Sequence, residues 1–88
     1  MAIEFPNPSR RYDATRQCVR FSGYDGAMER TFFVEEDAIL HLDALASGGE
    51  ARLLDAFDRH RDRICSIAAQ IYGRRRQSSY TLTGRDFS

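Results

Sequence analysis

One stretch decides the fold of this 88-residue chain: Glu50 to Tyr72, which reads EARLLDAFDRHRDRICSIAAQIY. Apolar side chains recur in it at spacings of three, four and seven, at Leu53, Phe57, Ile64, Ala68 and Ile71. At about 100° per residue these positions share one face of an α-helix. The pattern predicts a single long helix that buries this stripe in the core. The helix is expected to end at Gly73, a residue type favoured just past a helix C-terminus.

The segment before this helix predicts a β-hairpin. Asp25-Gly26 favours a two-residue turn between residues 17–24 and 27–34. With Tyr24 opposite Ala27, this register places Val19 opposite Phe32 and sorts the two strands into a mostly apolar and a mostly polar face. The apolar face then holds Gln17, Val19, Phe21, Met28, Arg30, Phe32 and Val34. The polar face holds Cys18, Arg20, Ser22, Glu29, Thr31 and Phe33, with Arg20 diagonal to Glu29.

A shorter helix is predicted between the hairpin and the long helix. The acidic run Glu35-Glu36-Asp37 complements the positive end of a helix dipole. Gly48 is expected to close this helix, and Ser47 with Glu50 has the pattern of a capping box for the next one. The two helices would therefore form an αα-hairpin over residues 35–72. The apolar face of the shorter helix is expected to contain Ala38, Ile39, Leu42, Leu45 and Ala46.

These elements predict an α+β fold of two layers, in which a small antiparallel sheet built around the hairpin 17–34 packs on the αα-hairpin. Residues 1–15 are expected to form an N-terminal arm, with a short strand at Ile3–Phe5 and a loop at 10–15. Residues 80–83 predict a C-terminal edge strand, followed by a tail over 84–88. We expect one domain, 1–88. A chain this short buries only roughly 60–65% of its unfolded surface, so a second subunit would help to cover the core.

Composition argues against several classes of protein. Thirteen arginines balance thirteen acids, and no lysine is present. Residues 1–50 hold five arginines against nine acids, and residues 51–88 hold eight against four, which favours a charged partner or attraction between the halves. The chain has neither a leader pattern nor a run of about 18 apolar residues. We expect a cytoplasmic protein without a membrane span, with reduced thiols, no cofactor, no metal and no enzymatic activity.

The arginine triplet Arg74-Arg75-Arg76 is the first candidate contact site. Guanidinium groups suit phosphate or nucleic acid, although cations at a helix C-terminus also complement the dipole without any ligand. Tyr72 and Tyr80 lie on either side of the triplet and could stack on bases.

Three other positions are candidates. His60 and Arg61 fall about 50° from the centre of the long stripe. There they either line a small rim site or only snorkel from the core edge, with Arg61 close enough to pair with Asp58. Leu40 points away from its own helix's apolar face, which suggests self-association, contact with the N-terminal arm or a lone exposed leucine. Cys18 lies between Arg16 and Arg20, two cations that could lower its thiol pKa, but the pattern favours an unreactive cysteine.

Several short motifs recur here in an order that resembles a catalogued bacterial family, the domain of unknown function DUF 1488. They are the Phe-Pro-Asn-Pro-Ser-Arg opening at residues 5–10, Tyr12-Asp13, the aromatic hairpin, the series Phe57, Arg61, Ile64 and Ala68, and the closing Tyr80-x-Leu82 with Asp86-Phe87. The resemblance covers nearly the whole chain. It implies a small sheet with a helical pair and a bacterial origin, and it implies no activity.

From these observations we expect a non-enzymatic binding or adaptor module that acts through a protein partner or through its own dimer. The alternative is an accessory protein that binds nucleic acid or phosphate with the arginine triplet.

Overall fold

The computed structural model of the protein describes residues 3–75 and 77–87. In these ranges the strands are β1 (Arg10–Asp13), β2 (Cys18–Asp25), β3 (Met28–Glu35) and β4 (Ser79–Leu82). The α-helices are α1 (Glu36–Leu42), α2 (Glu50–Arg59) and α3 (Arg61–Arg74), and short 3-10 helices cover Ala44–Ala46 and Gly84–Phe87. The predicted α+β class is confirmed.

The strands form one sheet in the order β1-β2-β3-β4. The pairs β1/β2 and β2/β3 are antiparallel, as predicted, whereas β4 pairs with β3 in parallel. The sheet is therefore mixed. Parallel neighbours need a long crossover, and the three helices between β3 and β4 supply it.

The hairpin keeps its predicted faces but not its predicted register. Val19 lies opposite Val34 and Phe21 opposite Phe32, so the pairing is displaced by two residues. The turn is formed by Gly26-Ala27, with Gly26 at φ +63°, because a two-residue hairpin turn needs a positive φ at its first central position. A displacement by two residues leaves every side chain on the same face. It stacks the rings of Phe21 and Phe32, whose centroids are 5.4 Å apart.

The segment before β2 is more regular than the predicted loop. Residues 10–13 form β1, and the predicted strand at residues 3–5 is reduced to one antiparallel bridge. In that bridge Glu4 and Tyr24 exchange backbone hydrogen bonds of 2.9 and 2.8 Å. The bridge and β1 therefore share one edge of β2, and residues 6–9 connect them.

The predicted long helix is two helices that meet at His60. The backbone of His60 has φ −107° and ψ 18°, outside the helical region. Hydrogen bonds nevertheless continue across it, from His60 N to Ala56 O and from Ile64 N to His60 O, both at 3.0 Å. The predicted apolar stripe consequently stays in phase, and all its members are buried: Leu53, Phe57, Ile64, Ala68 and Ile71. The helix also runs through Gly73 to Arg74, so Gly73 is helical and does not terminate it.

The connection between α1 and α2 differs from the prediction. The first helix ends at Leu42, because Asp43 is extended and accepts a hydrogen bond from Leu45 N at 3.0 Å. This turn carries Leu45 outward, where 72% of it is exposed. The predicted capping box is also wrong, since Gly49 occupies the N-cap of α2 without a side-chain cap.

The predicted C-terminal strand is β4, but the predicted tail is ordered as far as the structure describes it. Thr83 N donates to Asp86 Oδ2 at 2.7 Å, which closes the turn of Gly84–Phe87. Phe87 is buried and belongs to the core.

The helices cover one face of the sheet and leave the other without a helix. The core contains the inward side chains of the hairpin, the apolar faces of the helices and both ends of the chain: Ile3, Val19, Phe21, Phe32, Val34, Ala38, Ile39, Ala46, Leu53, Ala56, Phe57, Ile64, Ala68, Ile71, Tyr72, Tyr80, Leu82 and Phe87. Across the described part of the chain, none of the helices combines the length and apolarity needed to cross a bilayer.

Candidate functional site

The face of the sheet that carries no helix holds a band of hydrogen-bond donors. Strand register places Arg11 opposite Arg20, and Ser22 opposite Thr31, on this face. We call these four residues the donor strip: Arg11, Arg20, Ser22 and Thr31.

Arg11 and Arg20 are the distinctive pair in the strip. They lie directly opposite each other on β1 and β2, and both are exposed. Like charges in this position destabilise a sheet. Neither guanidinium has an ion-pair partner within the part of the chain that the structure describes. Because no acid of the described chain pairs with either guanidinium, this pair is the strongest candidate for contact with an anion.

Other arginines, by contrast, are used by the fold. Arg10 on β1 makes a two-pronged ion pair with Asp58 of α2, at 2.9 and 2.8 Å. Arg59 binds Asp43 at 2.7 Å. These guanidinium groups join secondary-structure elements and are not available to a ligand without loss of stability.

An open depression lies beside the strip. Its volume is about 420 Å³, and its walls include Ser9, Arg11, Arg20 and Ser22. It exists because residues 6–9 leave the edge of β2 between the Glu4 bridge and β1. The depression lets a group from a partner approach both guanidinium groups together, beside a Ser22 hydroxyl that already donates to Glu29.

Acidic side chains lie beyond both ends of the strip on the same face. Strand alternation places Glu4 and Glu29 at the end near the hairpin turn, and Asp13 and Glu35 at the other end. Ser22 Oγ donates to Glu29 at 2.7 Å. Arg20 lies opposite Phe33 and Glu29 opposite Tyr24, so the two are not the predicted diagonal neighbours. Arg16 lies 3.9 Å from Asp13 and partly neutralises the second end, so the face is negative, positive and weakly negative along the strand direction.

One aromatic ring is also present on this face. Phe33 is only 8% exposed although no helix covers it, because the guanidinium of Arg16 lies 4.4 Å from its ring centroid. The Arg16 side chain is itself 60% exposed. At a solvent-exposed site, a cation–π contact contributes only about 0.5–1 kcal/mol. The Arg16 guanidinium is therefore easily displaced from the Phe33 ring.

The predicted rim residues His60 and Arg61 are both at the junction of α2 and α3, but they face different groups. His60 Nε2 lies 3.3 Å from Asp43 Oδ2, the same oxygen that Arg59 binds. The Arg59 hydrogen bond lowers the pKa of Asp43, with smaller contributions from the Leu45 amide and His60. This cluster ties the turn after α1 to the helix junction.

Arg61 has a structural partner as well. Its Nη2 donates to Asn7 O at 2.7 Å and to Phe5 O at 3.3 Å, so it holds the segment between the Glu4 bridge and β1. The predicted pair with Asp58 is not formed, because Asp58 binds Arg10. The structure brings neither His60 nor Arg61 to the donor strip.

The arginine triplet is only partly described, since Arg76 lies outside the described residues. Arg74 and Arg75 are exposed at the end of α3. Tyr72 and Tyr80 are 2% and 1% exposed, so the predicted stacking of bases on these rings is wrong. The triplet thus loses its aromatic support while its arginines remain accessible where they are described.

Leu40, the predicted self-association residue, does not point into solvent. It is half-buried and packs against the core, because the chain after α1 folds back and covers that side of the helix. The large hydrophobic side chains exposed in the described chain are Met28 and Leu45, at 56% and 72%.

The cysteines show no sign of reactivity. Burial raises the thiol pKa of Cys18, and Asp13 adds to this effect, whereas Arg16 opposes it. Burial likewise raises the pKa of Cys65. The burial of Cys18 and its raised pKa both disfavour the alternative of an activated thiol. The described residues contain no group of three or more His, Cys, Asp or Glu side chains that could hold a metal ion.

The sequence does not reveal the donor strip, because it predicts a loop over residues 10–15, which contain Arg11. The available signal was the alternation in residues 10–13, which places Arg10 and Tyr12 inward and Arg11 outward. Without the partner strand, that four-residue pattern does not show that Arg11 lies opposite Arg20.

Comparison with known proteins gives a family and a fold. A family described as "Protein of unknown function (DUF1488)" matches residues 3–83. A crystal structure of a protein of unknown function from the DUF1488 family of Shewanella loihica PV-4 superposes with a TM-score of 0.81. The match covers 92% of this chain and 91% of that one at 17% identity, which shows a shared fold. No curated protein matches the chain.

Proposed function

Because this chain belongs to the DUF1488 family, whose description assigns no activity, we propose a function from its geometry alone. We propose that the protein is a non-enzymatic binding module that holds an acidic segment of a partner protein against the helix-free face of its sheet. Contact is made by the donor strip Arg11, Arg20, Ser22 and Thr31.

The observation that carries the proposal is the Arg11–Arg20 pair. Two exposed guanidinium groups directly opposite each other repel, and within the described residues no acid neutralises them. A carboxylate between them would relieve this repulsion and accept hydrogen bonds from both forks. Binding would then be driven by relief of the repulsion between the Arg11 and Arg20 guanidinium groups in the free protein.

The charge pattern favours a protein segment over nucleic acid. Glu4 and Glu29 lie beyond one end of the strip, and Asp13 and Glu35 beyond the other. A uniformly charged phosphate backbone that ran past the strip would meet these acids. A peptide with a central acidic pair and basic flanks complements all three zones of the face. The net charge of zero also gives little long-range attraction for a polyanion.

The proposal is tested with two peptides of identical composition. One carries two central glutamates between arginine flanks, and the other carries two central arginines between glutamate flanks. NMR titration of the labelled protein at low salt should show saturable shifts at Arg11, Arg20 and Thr31 for the first peptide. The second peptide should bind at least about tenfold more weakly. Its central arginines then face Arg11 and Arg20, and its glutamate flanks face the acidic ends of the sheet.

A matched pair of double variants distinguishes the strip from general electrostatics. Arg11→Gln with Arg20→Gln should weaken binding of the first peptide at least about tenfold. Arg52→Gln with Arg74→Gln removes the same charge from exposed positions outside the strip and should leave the affinity within about twofold. Equal loss in both double variants, or no preference between the peptides, would refute the proposal.

Nucleic acid, the alternative predicted from the arginine triplet, is tested in the same titration with a single-stranded oligonucleotide. Salt-sensitive binding that is stronger than that of the first peptide, and that depends on Arg74 and Arg75, would replace the protein-binding proposal with the alternative.

A further inference from the structure

A second concave site lies at the opposite edge of the sheet. Its volume is about 220 Å³, and three chain segments form its walls: the end of α3, strand β4 and the 3-10 helix Gly84–Phe87. Polar groups converge on it from each segment, and Ile71 contributes an apolar patch. The polar side chains include those of Arg75, Gln77, Thr81, Thr83 and Arg85.

The wall that carries Arg75 and Gln77 is fixed by one buried side chain. Tyr80 is 1% exposed, and its hydroxyl donates to Arg75 O at 2.8 Å and accepts from Gln77 N at 2.9 Å. Arg75 N also donates to Ile71 O at 3.1 Å. The backbone on both sides of Arg76 is thereby held against the sheet, and the Arg75 side chain starts from a defined position.

The wall that carries Arg85 is fixed in a comparable way. Asp86 Oδ2 accepts from Thr83 N at 2.7 Å, and Asp86 N donates to Thr83 O at 3.0 Å. Phe87, next in the chain, is 4% exposed and anchors the turn in the core. Arg85 therefore projects from a short, rigid turn toward the same concavity as Arg75.

The charge of the concavity is not balanced within the described residues. Arg75 and Arg85 are exposed and have no ion-pair partner there. Asp86 is the acid in the lining, and the Thr83 amide and hydroxyl already engage its carboxylate, at 2.7 and 3.4 Å. Two guanidinium forks and the Thr81 hydroxyl thus face a volume with room for a small oxyanion.

We infer that this concavity binds the phosphate group of a phosphate monoester. A monoester carries close to two negative charges at neutral pH and three terminal acceptor oxygens, which matches two arginines and the neighbouring Thr81 hydroxyl better than a carboxylate does. The volume is below that of pockets for drug-sized ligands, so it accommodates the phosphate and a few further atoms. This site is separate from the donor strip. From the arginine triplet it uses Arg75, whose backbone carbonyl is held by the Tyr80 hydroxyl.

The test is an NMR titration with methyl phosphate at about pH 7.5, where the monoester is largely dianionic, with chloride used to keep ionic strength constant. Saturable shifts are expected at the amides of Gln77, Thr83 and Arg85. Arg75→Gln with Arg85→Gln should reduce the affinity at least about tenfold, because both forks are lost. Neither side chain forms a hydrogen bond with the rest of the described chain, so the amide spectrum of this variant should otherwise match that of the wild type.

Two controls decide the result. Arg52→Gln with Arg74→Gln removes equal charge outside the concavity, and Arg11→Gln with Arg20→Gln removes the donor strip; both should retain methyl phosphate binding within about twofold. Retention in the donor-strip variant also keeps this inference independent of the proposed function. Shifts that rise linearly without saturation, or equal weakening in all three double variants, would overturn it. So would equally tight binding of dimethyl phosphate, a monoanionic diester like the nucleic-acid backbone.

Discussion

At the scale of single residues, neighbours decide what each arginine does. Arg10 is bound by Asp58, while Arg11, the next residue, points to the other face of the sheet and lies against another arginine. Strand alternation alone separates these two roles. The composition of the chain, in which every basic residue is arginine, therefore says little until each side chain has been placed.

Gly23 shows how one missing methyl group allows the N-terminal segment to pack. A Cβ at this position would lie 2.6 Å from Phe5 Cε1 and 3.0 Å from Ile3 Cδ1. We expect Gly23→Ala to destabilise the protein by about 1–3 kcal/mol, because the segment must shift from β2. Urea unfolding measures the change.

Gly73→Ala is the matched control. Gly73 is helical, and a Cβ there meets no atom within 4 Å. The substitution should stabilise the protein by up to about 1 kcal/mol, since alanine favours the helix. A loss of stability would instead mean that Gly73 ends the helix in a left-handed conformation.

Tyr12 gives a pH-dependent prediction. The hydrogen bond from its hydroxyl to Glu36, followed by burial and the charge of Glu36, raises the pKa of Tyr12 to about 12. The unfolded chain loses this proton near pH 10, so the folded state binds more protons between about pH 10 and 12. The contribution of Tyr12 is fully present below this window and declines as the pH rises through it.

Urea unfolding of wild type and Tyr12→Phe between about pH 9 and 12 tests this. The wild type should lose more stability across the window than the variant, because phenylalanine has no proton to release. Parallel stability profiles for the two proteins would contradict the raised pKa.

At the scale of elements, sequence patterns identified faces better than ends. The hairpin strands pair two residues away from the predicted register. Each side chain nevertheless lies on its predicted face of the sheet, because side chains alternate between the two faces with a period of two residues. The helical stripe remained correct across His60 because the i to i+4 hydrogen bonds continue there. The break itself has no local sequence signal. It coincides with the contacts that Asp43, from another part of the chain, makes with Arg59 and His60.

The parts that sequence did not predict depend on distant contacts. The loop at residues 10–15 contains strand β1 because β2 offers an edge, and the tail at 84–88 is ordered because Phe87 finds the core. The parallel pairing of β4 follows from the path of three helices, which no local pattern records. The donor strip was missed for the same reason, since it exists only when β1 pairs with β2.

Arg61 connects two elements and gives a prediction at this scale. Because its guanidinium holds the carbonyls of Phe5 and Asn7, Arg61→Ala should destabilise the protein by about 1–2 kcal/mol. The Tyr24 amide, which donates to Glu4 O, should exchange with solvent faster.

Arg61→Lys separates charge from geometry. Lysine keeps the charge without the planar fork, so only part of the loss should be restored. Arg52→Ala, at an exposed position of α2, should leave Tyr24 exchange unchanged. If Arg61→Ala leaves the Tyr24 amide as protected as in the wild type, the arginine does not hold the N-terminal segment.

At the scale of the whole molecule, the core joins every part of the chain that the structure describes. Phe21 and Phe32 of the sheet, Phe57 of α2 and Tyr80 of β4 form one series of ring contacts, with centroids 5.0–5.4 Å apart. The last turn contributes Phe87 to the same core. A chain of this size has little stability in reserve, so removing one central ring should affect the whole fold.

Phe57 is the decisive position because it is completely buried and touches both the sheet and the helical layer. Phe57→Ala should destabilise the protein by about 3–5 kcal/mol, through lost burial and a cavity that a packed core cannot close. Leu45→Ala, at a side chain that is 72% exposed, should change stability by less than about 0.5 kcal/mol.

Thermal melts and sedimentation of both variants measure stability and association together. If Leu45 lies in a dimer interface, Leu45→Ala will lower the sedimentation coefficient while the monomer remains folded. If Phe57→Ala melts within a few degrees of the wild type, the sheet and the helices do not share a single core.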